Sequence, residues 1–452
     1  MTDNGSRGML GKRAIVVGAG MGGMMAAEVL SRYFDQVTVL EKDMLPAGPE
    51  PRMGVPQGQH VHALLVQGRR NLEKLFPGLT SELMDRGAVC TRAGLEFRTY
   101  DAAGWQPRRD LGLPMLIMSR PLLEGTVRHF LAANPRVTIQ DATRVEGWRL
   151  EDDTLTGVMV GGDAGSEAIG ADFVIDATGR SGDSISWLEA GGFGPVEETK
   201  LEIGTGYATA IFRKPEGWHS SIDCLSIHGP TSDSRGAFAF SIENNCWMVA
   251  LTGRFDQAPT GDPDAFLPFA KSLCVPDVYD WISQGERITP VKVYRAPVSR
   301  WRRYERLDRH PEGVLPLGDA LAHVNPLFGQ GMTLASTHVM HLNDLLADRA
   351  KSGEGLKGLA APYFELTHAF TQTVWQGLEN VEFGYPTTKG ERPADLDRRL
   401  AFSRGLRKLI EDDAEVQGLL MRVGQLVLPP DVLARPDIVA RVLQNVSAAA
   451  QG

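Results

Sequence analysis

Gly18-Ala19-Gly20-Met21-Gly22-Gly23 stands directly after a β-branched apolar run at residues 14–17 and directly before residues 21–33, whose apolar positions recur with helical spacing. A second apolar run follows at residues 37–40. Strand, helix and strand in this order make a βαβ unit, whose crossover is right-handed in nearly all cases. The glycine turn is therefore expected at the carboxyl edge of a parallel sheet, where open α/β sheets bind ligands. Gly18 permits the tight turn, Gly20 lets the backbone approach a pyrophosphate, and Gly23 allows helix and sheet to pack closely. Met21 and Gly22 open the helix, whose positive dipole end faces the negative charge.

Glu41 ends the second strand 18 residues beyond Gly23, close to the ~20-residue offset at which an acid takes a ribose hydroxyl. A carboxylate there repels a 2′-phosphate, which points to FAD or NAD rather than NADP as the tightly held dinucleotide. Lys42 and Val145 are assigned to the same site. The choice between FAD and NAD rests on a second element, Gly318-Asp319-Ala320 followed by Asn325-Pro326-Leu327-Phe328-Gly329-Gln330-Gly331-Met332. Nicotinamide dehydrogenases do not require it. The Asp319 carboxylate after a strand suits a ribityl chain. The turn from Pro326 through Gly329 and Gly331 to Met332 sets backbone N–H groups and a helix dipole against the flavin N1/O2 edge, which becomes negative on reduction.

The fingerprint, the Asp176-Ala177-Thr178-Gly179-Arg180 stretch and the Gly318 to Met332 segment, in this order, resemble the aromatic-hydroxylase-like, single-component FAD monooxygenases over about the first 345 residues. Arg52-Met53-Gly54-Val55-Pro56-Gln57-Gly58-Gln59-His60-Val61-His62 and Tyr207-Ala208-Thr209 look like the branch holding the polyether epoxidases of lasalocid and monensin biosynthesis. That resemblance implies that Arg52 and Arg120 contact the FAD phosphates or ribityl region and that Asp319 takes the ribityl hydroxyls. It also implies oxygen transfer through a flavin C4a-hydroperoxide to an apolar polyene, polyketide or aromatic substrate of secondary metabolism. Molecular oxygen is then a co-substrate, and NADH, NADPH or a flavin reductase supplies electrons. The chain departs from the family at Ala177-Thr178-Gly179, where many members carry Asp-Gly, so a pyridine-nucleotide contact is in question. A second similarity, to FAD-containing non-redox cyclases of the [4+2] type in polyketide biosynthesis, makes the flavin a structural wall. His60 and His62 alternate on a loop, either lining the flavin face or capping backbone groups.

The fold expected is α/β: a Rossmann-like FAD-binding domain with an inserted β-sheet substrate domain and a helical C-terminal region. The FAD-binding part is expected at residues 1–80, 119–185 and 296–345, the substrate part at 81–118 and 186–295, and the helical region at 346–452. Residues 154–160 and 167–169 read as a hairpin around a glycine-rich turn at 161–165. No second fingerprint follows a strand, which excludes two-dinucleotide reductases.

A net charge of −9 without a run of basic residues gives no surface for nucleic acid. Cys90, Cys224, Cys246 and Cys274 stand far apart and read as reduced core thiols, with no metal-ligand spacing. No Ser-His-Asp or HExxH arrangement is legible, and no catalytic side chain is assigned. No 18-residue apolar run and no signal-like segment occurs, so a cytoplasmic protein without a transmembrane segment is expected. The apolar stretch 419–428 suits a cover over the substrate chamber, a subunit contact or a membrane-surface contact, with a lid on the core favoured, and Trp375 and Tyr385 are candidates to face substrate.

Overall fold

The structure, a computed structural model, describes residues 8–161 and 165–449. It opens with β1 (Gly11–Val17), α1 (Met21–Leu30) and β2 (Phe34–Leu40). Both strands start earlier than their apolar runs, because the parallel ladder continues through polar pairs such as Arg13 and Gln36. The helix stops short of residue 33. There Ser31 N–H returns to the Ala27 carbonyl and Tyr33 N–H to that of Leu30, which drops Tyr33 and Phe34 into the core.

Helix α2 (Arg120–Ala132), capped by the Ser119 hydroxyl on the Leu122 amide, leads to β3 (Val137–Gln140). An antiparallel meander of Val145–Glu151, Thr154–Val160 and Glu167–Gly170 follows. The hairpin expected here is present, although residues 162–164 of its turn lie outside the described residues. Then β4 (Phe173–Asp176) returns beside β1, and the chain leaves for a large sheet. That sheet is built on β5 (Glu198–Arg213), β6 (Cys224–His228), β7 (Gly236–Ile242), β8 (Cys246–Arg254) and β9 (Lys292–Arg302). The chain comes back as β10 (Val314–Pro316), followed by α3 (Gly331–Ser352), α4 (Ala360–Glu382), α5 (Leu396–Leu409), α6 (Ala414–Gly424) and α7 (Pro436–Ala449).

The first sheet has the order β10-β4-β1-β2-β3 with every pair parallel. From β1 the chain moves to one side through β2 and later to the other through β4. The crevice beyond the end of β1 is thus the switch point where such sheets take ligands. Helix α1 has no polar face: Met24, Met25, Ala26 and Ala27 are all fully buried, because α3 and α2 pack where solvent would otherwise lie.

The large sheet runs β9-β5-β8-β7-β6 and continues to Phe97–Asp101, which pairs parallel with β6, and to Gly104–Trp105 at that edge, while Ala322–His323 pairs outside β9. Strand β9 runs across position 295. One face is sealed by the short helices Phe266–Lys271 and Asp277–Ile282, with Trp247 and Trp281 stacked at 5.4 Å. The other face carries Phe238, Phe240 and Met248 toward the first domain. The reading of all four cysteines as core thiols is corrected: Cys224 and Cys246 are buried in this sheet, whereas Cys90 and Cys274 are exposed and all four are free. Cys90 sits on the outward-facing register of a four-residue strand, Val89–Arg92, and Cys274 beyond the end of a surface helix.

A Cβ added at Gly23 would sit 1.9 Å from the Gly18 carbonyl oxygen, so only glycine lets α1 rest on the β1 turn. Gly23→Ala is expected to cost about 1–3 kcal/mol of unfolding free energy by overpacking. Gly147→Ala, with no atom within 4 Å of the new Cβ, is the control and should change stability by under about 0.5 kcal/mol in urea melts. Equal stability of the two variants would contradict this packing account.

Candidate functional site

The β1 turn opens one end of a long cleft. Gly18 adopts φ +105° and its amide donates to the Leu40 carbonyl, which ties the turn to the end of β2. The Ala19 amide donates to Glu41 Oε2 at 2.8 Å, and Asp43 N–H to Glu41 Oε1 at 3.0 Å. Arg52 closes this end: its Nη1 lies 2.9 Å from Glu41 Oε2 and 3.3 Å from Asp43 Oδ2, while Nη2 donates to the Ala19 carbonyl at 3.0 Å. The Arg52 guanidinium lines the cleft and is committed to the carboxylates around the fingerprint, with its Nε 3.6 Å from Glu124, the partner of Arg120. Gly20, Met21, Gly22, Lys42 and Val145 line the same cleft. Gly23 does not, because its place is the helix–strand contact.

The other end is built by the return strand β10. Gly318 takes φ +64°, and Asp319 behind it accepts from His323 Nδ1 at 3.0 Å. Burial alone would raise the Asp319 carboxyl, but His323, Arg180 and Arg120 outweigh it and hold the group below its ordinary value. Arg120, at the start of α2, pairs with Glu124 at 2.8 Å and lines the cleft beside His62 and Asp319. Pro326, Gly329, Gly331 and Met332 complete the wall. The Gly331 and Met332 amides, in the first turn of α3, have no backbone acceptor among the described residues, as helix geometry requires.

Of the two roles considered for this pair, lining the cleft and capping a backbone group, His62 takes both and His60 takes neither. His60 Nδ1 bonds the Thr209 hydroxyl at 2.7 Å, and its ring packs between Tyr207 and Tyr294, so it fixes the loop to the large sheet. His62 bonds the His60 carbonyl at 2.9 Å and lines the cleft. Burial lowers His60 to about 4 and, with the Arg120 charge, His62 to about 3. Asp176, in the stretch that departs from the family pattern, accepts from Thr178 N–H at 2.9 Å and Thr178 Oγ1 at 2.6 Å, and from the Ser184 hydroxyl. That carboxylate is spent on its own turn.

Sequence reasoning missed a buried network that holds the Pro326 turn in place. Asn325 caps the turn through Leu327 N–H and donates from Nδ2 to Glu382 Oε1 at 2.6 Å and to Thr205 at 3.2 Å. Glu382, fully buried at the end of α4, pairs with Arg254 of β8, whose guanidinium lies 4.0 Å from the Tyr385 ring centroid. Asn325 and Glu382 stand 57 positions apart, and Arg254 and Glu382 128, and no local pattern marks them.

Past the turn, a second chamber of about 1010 Å³ opens, with Pro326 and Gly329 lining both spaces. Its floor is the exposed face of the large sheet, and Val61, Leu65, Met115 and Leu327 add apolar walls. Tyr385 reaches it, as expected. Trp375 does not: it is buried against Trp301 at 5.9 Å, because its face of α4 looks to the core. Of the stretch 419–428 only Gln425 reaches the chamber, its Oε1 tied to Val66 N–H; Met421 and Val427 pack beneath the wall.

A cleft with a glycine fingerprint and an acid at one end, and an aspartate and a helix start at the other, has the layout of a dinucleotide site with a flavin end. The FAD binding domain family matches residues 12–377 of the chain. The chain belongs to the FAD binding domain family. FAD is its cofactor, and it is an FAD-dependent oxidoreductase. Within relatives of this family member, protein Rv3254 of Mycobacterium tuberculosis is 31% identical over 393 residues, which cover 83% of this chain and 81% of that one. A flavoprotein/dehydrogenase from Cytophaga hutchinsonii superposes with a TM-score of 0.70 at 12% identity, covering 98% and 100% of the two chains. The p-nitrophenol 4-monooxygenase PnpA from Pseudomonas putida DLL-E4 superposes with a TM-score of 0.67 at 18% identity, covering 93% and 99%. At these identities the structural likeness is one of fold. Among the described residues no helix is long and apolar enough to cross a membrane.

Two predictions follow from the charges at this site. His60, His62, His310 and His338 are all lowered mainly by burial, to about 4, 3, 4 and 3, from an ordinary 6.5. Between those values and 6.5 the unfolded chain binds more protons, so stability is full above pH 6.5 and falls as pH drops toward 4. Urea unfolding at about pH 5 should show a loss on the order of 2 kcal/mol per histidine relative to about pH 7.5. A flat profile would count against the burial. Glu382→Gln leaves the Arg254 charge buried without its partner and should cost about 3–5 kcal/mol, much of it recovered when Arg254 is also replaced by methionine; a cost under about 1 kcal/mol would contradict the network.

Proposed function

We propose that this oxidoreductase is a monooxygenase that places one atom of molecular oxygen on an apolar polyene, polyketide or aromatic substrate held in the second chamber. The observation that carries this reading is the shared wall: Pro326 and Gly329 face the cofactor cleft on one side and the apolar chamber on the other. PnpA, of the same fold, is named as a monooxygenase. When bound and reduced, FAD supplies the activation of oxygen and the electrophilic oxygen atom, with NADH, NADPH or a flavin reductase as electron source.

The residues fit that cofactor. In this reading the amides of Gly20 to Gly22 and the start of α1 hold the pyrophosphate, with Lys42 and Val145 beside it, and Glu41 holds the adenosine ribose. Gly20 supports it, because a Cβ there would meet no protein atom and project into the cleft. Asp319, kept ionised by His323, Arg180 and Arg120, accepts from the ribityl hydroxyls. The first turn of α3, from Gly331 to Met332, stabilises negative charge at the flavin N1/O2 edge. Arg52 acts one step removed: by neutralising Glu41 and Asp43 it holds the ribose-binding acid in place.

The chamber's apolar walls exclude water from the reacting face. His60 and His62, lowered to about 4 and about 3 by burial, are neutral at pH 7 and are weak proton acceptors, so neither serves as a strong base on the flavin side of the wall. Among the described residues the carboxylates near the Pro326 turn are paired, Glu382 by Arg254 and Asn325 and Asp319 by His323. That favours epoxidation, which needs no protein base, over phenol hydroxylation, and it agrees with the resemblance to polyether epoxidases.

Gly20→Ala should leave the stability of the apoprotein within about 1 kcal/mol while FAD affinity falls by about tenfold or more. Asp319→Ala should likewise elute colourless. Anaerobic addition of NADH, NADPH or a flavin reductase system to the yellow protein should bleach the flavin. A flavin that none of them reduces would point instead to the redox-silent cyclase chemistry.

A further inference from the structure

The chamber floor has an order that the register of the large sheet makes explicit. Tyr207 of β5 lies opposite Thr252 of β8, Thr252 opposite Gly236 of β7, and Gly236 opposite His228 of β6. Tyr207 and His228 therefore mark the two ends of one row, three strand spacings or about 14 Å apart at ~4.8 Å per strand. Phe238 and Phe240 lie beside the middle of that row, and no charged group lies between its ends.

The two ends differ in chemistry. At the flavin end the Tyr207 hydroxyl is buried and has no hydrogen-bond partner among the described residues, although its residue lines the chamber. Burial pushes that phenol well above its ordinary range, so it stays a neutral donor. At the far end His228 lines the chamber and bonds Ser226 Oγ through Nε2 at 2.8 Å, which leaves Nδ1 without a partner among the described residues. Burial lowers this imidazole, so it too is neutral.

The ion pairs at the far end are incomplete in one sign only. The lone acid on that wall, Asp101, is satisfied by Arg407 at 2.6 Å, by Gln106 at 3.1 Å and by the Ala103 amide at 2.9 Å. Arg392 is paired with Asp397 at 3.3 Å. Arg404, one turn from Arg407 on α5, is an exposed residue that lines the chamber and has no carboxylate or carbonyl partner among the described residues. An unmatched positive charge stands here in a chain whose net charge is −9.

We propose that the chamber takes an elongated substrate with an apolar body and an anionic head, a carboxylate or its phosphate or sulfate equivalent, bound by Arg404 with Ser226 and His228 beside it. The opposite end of such a molecule then lies by Tyr207 at the flavin. Arg404 is the specificity-determining residue, and the length of the floor selects molecules that span it. This rests on the second chamber being the substrate chamber of the monooxygenase reading, but it needs no turnover.

The test titrates the oxidised, FAD-loaded protein with retinoic acid, methyl retinoate and benzoate, reading the long-wavelength flavin absorption band. Retinoic acid should bind and perturb the band about fivefold more tightly than its ester, the size expected of a partly exposed charge pair. Benzoate, too short to reach both ends, should leave the band unchanged. Arg404→Ala should abolish the preference for the acid without changing ester binding, and Arg404→Lys should restore part of it. Retention of yellow colour by both variants reports that they are folded. Equal binding of acid and ester by the unmodified protein would overturn the proposal, as would a preference that survives in Arg404→Ala. Failure of either retinoid to perturb the band would overturn it too. A flavin that no donor reduces, with the acid preference intact, would sink the monooxygenase reading and leave this assignment standing.

Discussion

The contact between Gly23 and the Gly18 carbonyl sets the position of everything else in the cleft. Helix α1 can point its first turn at the crevice beyond β1 only because two backbone segments approach with no side chain between them. From that contact the rest follows in order. The Gly18 amide ties the turn to β2, the Ala19 amide locates Glu41, and Glu41 locates Arg52 and the loop behind it. A turn that cannot close removes both the anion-binding helix start and the acid beside it.

The flavin end depends on a different kind of constraint. Its turn carries the unmade hydrogen bonds of a helix start, and such a turn needs support from outside. Glu382, Arg254 and Thr205 provide it from three separate elements, through the capping residue Asn325. A buried ion pair of this kind contributes little net stability, since desolvation offsets most of the attraction, but it fixes geometry because every alternative leaves a charge unpaired. Through Tyr385, which lies on Arg254 and also lines the chamber, the same network joins the cofactor wall to the substrate wall.

What the sequence disclosed and what it hid divide along physical lines. The βαβ unit, the return strand with its turn and the β-rich middle were legible because each is a local pattern: strand, glycines, helix, or alternating apolar residues. The cleft residues chosen from those patterns, Gly23 apart, do line one cleft. Helix ends were misplaced where tertiary bonds decide them, as at Ser31 to Tyr33. Trp375 was misread because an amphipathic face does not say which of two apolar partners it meets. Cys90 and Cys274 were misread because a scattered cysteine carries no neighbour pattern at all. The Arg254–Glu382 pair and the unmatched Arg404 had no sequence signal, since both are defined by what lies across the fold and not along it.

The central claim is that one FAD spans the cleft from Glu41 to the first turn of α3 and presents its flavin to the second chamber. A crystal structure of the FAD-loaded protein tests it most directly. The account predicts the adenosine ribose on Glu41, the ribityl chain on Asp319, the flavin N1/O2 edge at Gly331 and Met332, and one flavin face open to Tyr207. Density for the flavin ring outside this cleft, or a ring turned so that protein separates it from the chamber, would contradict it.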